Sequence, residues 1–229
     1  MICENIRKVT EHIAAIARRC GRDPREIELL AVSKRMTAEQ IGEAYRCGQH
    51  LFGENFVQEA IEKIPRLAPA IRWHFIGHLQ SNKAKQVAGL FAMVETVDRL
   101  KLAFELNKHA AAGNRILDIL VQVNVGLEPQ KSGIPPQKVE QFLTELGTLK
   151  NLRVRGLMTI PPYAKDPEQS RPFFRAVREL TDHCRDRGLF ADSSSVVLSM
   201  GMSGDYPVAI EEGATLLRIG TAIFGERPR

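Results

Sequence analysis

The sequence contains no apolar run close to the roughly 20 residues that a membrane-spanning helix needs. Its opening residues, Met1–Arg7, lack the basic-then-apolar order of a secretory signal peptide. Aromatic side chains are scarce, with one tryptophan and three tyrosines, and no segment interleaves them with basic residues. Although the net charge is +5, this scarcity argues against a nucleic-acid surface. We therefore expect a cytoplasmic protein that binds neither membranes nor nucleic acids.

Cysteines spaced for metal binding or disulfide bonding are also missing. The four cysteines are scattered and form no CxxC pair, at Cys3, Cys20, Cys47 and Cys184. This usage is typical of reduced cytosolic thiols and predicts neither a disulfide framework nor a zinc site. His74 and His78 have an HxxxH spacing, but only a helix would place both on one face. Because the first lies in a predicted strand, we expect no metal ion.

A short apolar run over residues 29–33 ends in Lys34 and is typical of a buried strand. Lysine is rarely buried without a partner, so this side chain is expected at the rim of a core. Loss of water there favours the neutral amine, which is the form that condenses with an aldehyde. The alternative is a lysine that extends its ammonium into solvent, and the run by itself favours that alternative.

Strand-like runs alternate with helical patterns along the whole chain, with no linker that would divide it. The eight runs are residues 29–34, 50–53, 71–76, 91–95, 116–125, 152–160, 196–199 and 215–219. Such alternation predicts a parallel sheet, and eight units predict one closed (β/α)8 TIM barrel over residues 1–229. An amphipathic N-terminal helix over residues 2–20 is extra and could replace a missing eighth helix. An open doubly wound sheet is the alternative, weakened because no GxGxxG motif is present.

Helix starts are predicted from local capping patterns. Thr37 and Gln40 have the spacing of a capping box. Ser81 and Asp98 stand where they could cap the helices that follow the third and fourth strands.

Polar residues occur where the predicted strands end, which is where TIM barrels carry their chemistry. They are Lys34, Asn55, His78, Asn124, Met158 (the one apolar member), Ser199 and the turn over residues 218–221. The loops after strands seven and eight, residues 199–205 and 220–221, are rich in glycine and hydroxyl groups. These two loops form the usual phosphate site of this fold. Arg218 lies two residues before Gly220 on the same face, where it could contact a cofactor ring or form a structural ion pair.

Several motifs, in order along the chain, resemble the pyridoxal phosphate homeostasis proteins (the YggS/PROSC group). The longest is residues 73–83, Trp-His-Phe-Ile-Gly-His-Leu-Gln-Ser-Asn-Lys. The others are residues 31–34, 52–55, 122–124, 156–158, 199–203 and 218–225. The resemblance covers essentially the whole chain, and it implies a pyridoxal phosphate (PLP) barrel of fold-type III, similar to the barrel domain of alanine racemase.

This resemblance implies a role for each motif residue. Lys34 would carry PLP as the internal aldimine, and Arg218 would face the pyridine nitrogen. The phosphate would lie among Ser199, Ser203, Gly220 and Thr221. Asn55, His78 and Met158 would line the same pocket.

The resemblance implies PLP homeostasis, in which the protein holds the cofactor and supplies it to apo-enzymes. An arginine at the ring nitrogen keeps that nitrogen unprotonated and weakens the ring as an electron sink. Racemisation also needs a second base, and Tyr45, Tyr163 and Tyr206 match no such position, although Tyr206 is worth testing. We therefore expect a carrier with no catalytic residues. A low-activity amino-acid racemase and a nucleic-acid-binding barrel are the alternatives. We expect a monomer, because the racemase's second domain is absent.

Overall fold

The strands form one closed parallel barrel in the computed structural model, which describes residues 1–226. Each strand pairs with the next in the sequence, and the last pairs with the first. The strands are β1 (Glu28–Val32), β2 (Leu51–Glu54), β3 (Arg72–Phe75), β4 (Met93–Val97), β5 (Leu117–Val123), β6 (Leu152–Thr159), β7 (Val197–Ser199) and β8 (Leu216–Ile219). The predicted (β/α)8 barrel is therefore confirmed, and the open sheet is excluded.

Helices cover the outside of the barrel, because each strand-to-strand crossover must bury the outer face of the sheet. They are α1 (Ile2–Arg19), α2 (Ala38–Arg46), α3 (Val57–Lys63), α4 (Ala84–Leu90), α5 (Leu100–Ala112), α6 (Val139–Leu146), α7 (Arg171–Asp186), α8 (Tyr206–Glu211) and α9 (Thr221–Phe224). Short 3-10 turns span Pro24–Glu26, Ile64–Arg66, Ser81–Lys83, Pro136–Lys138 and Pro167–Ser170. Within residues 1–226, no helix is both long and apolar enough to cross a membrane.

The N-terminal helix α1 closes the outer helical layer beside β8. Its apolar stripe is buried, at Ile2, Ile6, Val9, Ile13 and Ile16. It contacts α2 on one side and α8 and α9 on the other. The Asn5 side-chain amide also donates to the carbonyl oxygen of Ile223 in α9 (2.9 Å). Because α9 has only four residues, α1 occupies the outer position that a full eighth helix would take.

Of the three predicted helix caps, one is confirmed and two are wrong. Thr37 and Gln40 form the reciprocal capping box at the start of α2. Ser81 instead begins a 3-10 turn, and α4 starts only at Ala84. Asp98 is engaged by the guanidinium of Arg99 and does not cap α5.

The cysteine prediction is corrected in part. Cys3 and Cys47 form a disulfide with a Cα–Cα distance of 5.3 Å, because the first turn of α1 packs beside the end of α2. Periodicity predicts the two helices but not that the start of α1 and the end of α2 meet. Cys20 is exposed and Cys184 is buried, and both are free thiols. Among the described residues, no three His, Cys, Asp or Glu side chains are grouped as metal ligands.

Candidate functional site

A cavity of about 240 Å³ opens at the carboxyl ends of the strands. It brings together six residues that the sequence predicts for the site: Lys34, Asn55, Ser203, Arg218, Gly220 and Thr221. The remaining lining residues are Val32, Ile76, Ile160, Met202 and Gly204. The cavity therefore combines one amine, one guanidinium and one amide with apolar walls.

Lys34 lies two residues after the end of β1, and the residue before it is held by a buried cluster. Ser33 is fully buried, and its hydroxyl donates to Glu54 Oε1 (2.7 Å). Lys63 Nζ donates to the carbonyl oxygen of Ser33 (3.0 Å) and to Glu54 Oε1 (2.9 Å). A cation and a carboxylate therefore hold both the backbone and the side chain of Ser33.

The residue after Lys34 is held by the same cluster. The backbone N–H of Arg35 donates to Glu59 Oε1, which also accepts from Lys63 Nζ (2.6 Å). Arg35 has φ of +64°, in the left-handed region that non-glycine residues rarely adopt. Anchors on both sides of Lys34 thus fix the direction in which its side chain leaves the barrel rim.

Glu54 is the most buried charged group of this cluster. Burial raises the pKa of its carboxyl, and the neighbouring ammonium of Lys63 and hydroxyl of Ser33 oppose that rise. The second carboxylate oxygen, Oε2, is buried and has no hydrogen-bond partner among the described residues. The ionised form of Glu54 is therefore stabilised at this buried position by the ammonium of Lys63.

Asn55 offers a buried acceptor at the cavity. Its Oδ1 atom is buried and lacks a hydrogen-bond partner within residues 1–226. The backbone beside it is tightly packed, because a Cβ atom on Gly77 would lie 2.1 Å from the carbonyl oxygen of Asn55. An unpartnered buried acceptor costs stability, so a ligand that donates a hydrogen bond to Asn55 would recover that cost.

Arg218 lies in the floor of the cavity and belongs to a polar network inside the barrel. One terminal nitrogen donates to Ser199 Oγ (2.6 Å), and the other donates to the carbonyl oxygen of Thr159 (2.8 Å). The Ser199 hydroxyl in turn contacts Glu95 Oε2 (2.6 Å). Burial lowers the pKa of Arg218, and the carboxylates of Glu95 and Asp205 act in the opposite direction.

The loops after β7 and β8 meet at the other end of the cavity. The backbone N–H of Ala222 in α9 donates to Ser203 Oγ (3.4 Å), which joins the loop after β7 to the start of α9. Gly201 has φ of +91°, and a Cβ atom there would lie 2.6 Å from the Cβ atom of Ala209. Only glycine fits this turn, so the backbone of the loop approaches α8 closely.

Three predicted site residues lie outside the cavity lining. Ser199 is fully buried beneath the cavity, where its hydroxyl group contacts Glu95 and accepts from Arg218. Met158 packs inside the barrel in an apolar cluster with Met93 and Leu120.

His78, the third of these residues, is exposed, and its Nδ1 atom contacts Ser132 Oγ (3.0 Å). The strand before it ends at Phe75, and the chain turns through Gly77, which packs against Asn55. His78 is thereby directed towards the loop after β5 instead of the cavity.

The three tyrosines also lie away from the cavity lining. Tyr206 is buried, and its hydroxyl contacts His12 Nδ1 of α1 (2.6 Å). Tyr45 stacks edge-on against His50, and Tyr163 is 90% exposed. In this structure no tyrosine is placed to act on a ligand bound beside Lys34.

The sequence does not reveal the supporting roles of Glu54, Lys63, His74 and Glu95. A charged residue within an otherwise apolar strand is the one available signal, because Glu54 ends β2 and Glu95 lies in β4. Both side chains are fully buried, and buried charges are rare unless they are paired. Their partners come from other elements, so the sequence alone does not identify them.

A larger cavity of about 830 Å³ lies at the amino-terminal end of the barrel. Arg72 and Glu28 of its lining are paired with each other, and Arg25 and Asp118 are paired with residues outside the lining. Chemistry in this fold belongs to the carboxyl ends of the strands, whereas the opposite face serves stability. The smaller cavity around Lys34 is therefore the candidate site.

Comparison with known proteins places this fold in one class. Residues 5–228 match the family described as alanine racemase, N-terminal domain. An alanine racemase from Corynebacterium glutamicum shares the fold, with a TM-score of 0.69 at 17% identity over 99% of this chain and 60% of that chain. The class is thus the racemase-type barrel.

The particular family follows from relatives of similar length. The chain is 44% identical over 226 residues to a pyridoxal phosphate homeostasis protein of Aquifex aeolicus, covering 98% of each chain. A solved structure of PipY from Synechococcus elongatus with PLP bound has a TM-score of 0.84 at 35% identity. That match covers 98% of this chain and 100% of PipY. The chain therefore belongs to the pyridoxal phosphate homeostasis protein family, and the sequence resemblance is confirmed.

Proposed function

We propose that this protein binds PLP in the cavity around Lys34 and maintains the cellular supply of the cofactor. The observation that carries the proposal is the placement of Lys34, Arg218 and the unpartnered Asn55 Oδ1 around one cavity. The names of the relatives and the PLP-bound PipY structure support the same ligand. PLP supplies a reactive aldehyde and an electron-withdrawing ring.

The residues of the cavity fit the chemical groups of PLP. Lys34 Nζ would add to the aldehyde carbon, and one water would leave as the C=N bond of the Schiff base forms. Arg218 would donate to the ring nitrogen of PLP, and Asn55 Oδ1 would accept a hydrogen bond from the bound ligand. Ser203 and the backbone around Gly220 and Thr221 would hold the phosphate, as loops at these strand ends do in this fold.

We further propose that the protein is a cytoplasmic monomer that passes PLP to apo-enzymes and does not turn over amino acids. A Schiff base is reversible, so a held aldehyde can be released to another amine. Racemisation would need a second base opposite Lys34, and the tyrosines lie elsewhere. Mixing the loaded protein with an apo PLP-dependent enzyme should restore its activity, and light scattering should give a monomer mass.

A PLP titration followed by absorbance tests the binding proposal. The wild-type protein should acquire a visible chromophore with one equivalent of PLP, and Lys34→Ala should not. Lys85→Ala removes an exposed lysine of α4 and should behave as wild type. Absence of the chromophore in the wild type, or its retention in Lys34→Ala, would overturn the proposal. Steady conversion of D- or L-amino acids by the loaded protein would favour the racemase alternative.

A further inference from the structure

A chain of hydrogen bonds crosses the barrel beneath the candidate site. His74 Nδ1 contacts Glu95 Oε1 (2.7 Å), Glu95 Oε2 contacts Ser199 Oγ (2.6 Å), and Arg218 donates to Ser199 Oγ (2.6 Å). All four residues are buried. Because β4 and β7 are not neighbours in the sheet, Glu95 and Ser199 meet across the barrel interior. His74 lines the amino-terminal cavity, and Arg218 lines the cavity around Lys34.

The donors and acceptors of this chain fix its direction. An arginine can only donate, so the Ser199 oxygen accepts from Arg218. Ser199 has a single hydroxyl hydrogen, which is therefore directed to the carboxylate of Glu95. The second carboxylate oxygen of Glu95 faces the ring nitrogen of His74. Ser199 thus links the carboxylate of Glu95 to the guanidinium of Arg218 by two hydrogen bonds, and hydrogen bonds linked in this way strengthen one another.

A buried guanidinium needs a compensating charge. Two carboxylates act on Arg218, those of Glu95 and Asp205. Asp205 Oδ1 accepts from the backbone N–H of Met202 (2.7 Å) in the loop after β7. Glu95 alone is connected to the guanidinium through a hydrogen-bonded side chain.

We propose that Glu95 and Ser199 are positioning residues that hold the Arg218 guanidinium where it meets the ring nitrogen of PLP. This inference rests on the proposed function and assigns Ser199 to the ring end of the cofactor instead of its phosphate. His74 supports Glu95 from the opposite side.

Binding of two ligands, PLP and pyridoxal, distinguishes a role of Ser199 at the ring from a role at the phosphate. If Ser199 acts through Arg218, Ser199→Ala should weaken PLP and its dephosphorylated form, pyridoxal, by a similar factor of about ten, the effect of losing one hydrogen bond to a charged group. Ser203→Ala should weaken PLP and leave pyridoxal unchanged. Ser199→Ala and Glu95→Gln should also shift the absorbance maximum of the bound chromophore in the same direction as Arg218→Lys.

The control is Glu62→Gln, which removes an exposed carboxylate on α3 and should retain the wild-type spectrum and affinity. If Glu95→Gln does not fold, Ser199→Ala decides the question. A wild-type spectrum for Ser199→Ala, or a loss confined to PLP with pyridoxal unaffected, would overturn the inference. A wild-type protein that never binds PLP would instead overturn the proposed function itself.

Discussion

Lys63 Nζ lies 3.0 Å from the carbonyl oxygen of Ser33, the residue directly before Lys34. The same ammonium contacts the carboxylates of Glu54 and Glu59, and Glu59 holds the backbone on the other side of Lys34. The Lys34 side chain therefore emerges from a segment that is fixed at both ends. Positioning of this kind reduces the ordering cost of binding.

Lys63→Met should lower both stability and PLP affinity. Removing the ammonium leaves the fully buried Glu54 without its cation, which costs about 3 kcal/mol for a buried pair. The loss should grow as the pH rises through the raised pKa of Glu54 in the wild type, because the variant lacks the ammonium that favours the ionised carboxyl.

Urea unfolding across pH, with a PLP titration at neutral pH, measures both effects. Lys101→Met removes an exposed lysine of α5 and provides the control. An unfolding free energy equal to that of the control would show that the cluster does not hold this segment.

Glu212 should contribute a stability that disappears in acid. Its side chain is 5% exposed and is paired with Arg171 (3.1 Å), Arg175 (2.9 Å) and Arg178 (3.5 Å). Burial opposes ionisation of Glu212, but the hydrogen bonds from Arg175 and Arg171 outweigh it and hold the pKa below 4.5. A carboxyl with a lowered pKa stabilises the folded state above its unfolded pKa and loses that effect as pH falls.

Glu212→Gln should therefore destabilise the protein by about 2 kcal/mol at pH 7. The difference in unfolding free energy between Glu212→Gln and the wild type should shrink as the pH falls from 4.5 through the lowered pKa of Glu212. Chemical denaturation at several pH values tests this, with Glu62→Gln as the control. A destabilisation of Glu212→Gln that stays constant down to strongly acidic pH would contradict the lowered pKa of Glu212.

The cysteines should react in three distinguishable classes. Cys20 is exposed and should react rapidly with a thiol reagent in the native protein. Cys184 is buried, and burial raises its pKa to about 11, so it should react only after unfolding. Cys3 and Cys47 should react only after reduction. Alkylation followed by peptide mass analysis checks this order, and rapid native labelling of Cys3 or Cys47 would show that they are not bonded.

The fold was predictable from the sequence because barrel strands carry continuous apolar runs. All eight strands occur where those runs predict them, although several boundaries differ: β1 ends at Val32, two residues before Lys34, and β4 extends to Val97. The failed caps show the limit of local patterns. Aspartate is a common N-cap residue, but the carboxylate of Asp98 is paired with the guanidinium of the adjacent Arg99.

The site was predictable where a residue lies near the carboxyl end of a strand or in the loop that follows it. Lys34 lies two residues after β1, and Arg218 lies one residue before the end of β8, so both reach the cavity. Ser199 also ends a strand, yet its hydroxyl is directed inward to Glu95, which lies 104 residues earlier. No local pattern identifies a partner at that separation. The same holds for the support of Lys34, since Lys63 comes from the helix after the next strand.

Borohydride reduction of the PLP-loaded protein, followed by peptide mass analysis, tests the central claim most directly. Reduction converts a Schiff base into a stable amine and so marks the lysine that carries it. We predict one phosphopyridoxyl group, located on Lys34, in the wild-type protein and none in Lys34→Ala. A label on Lys63 or another lysine in the wild type, or no label at all, would contradict it.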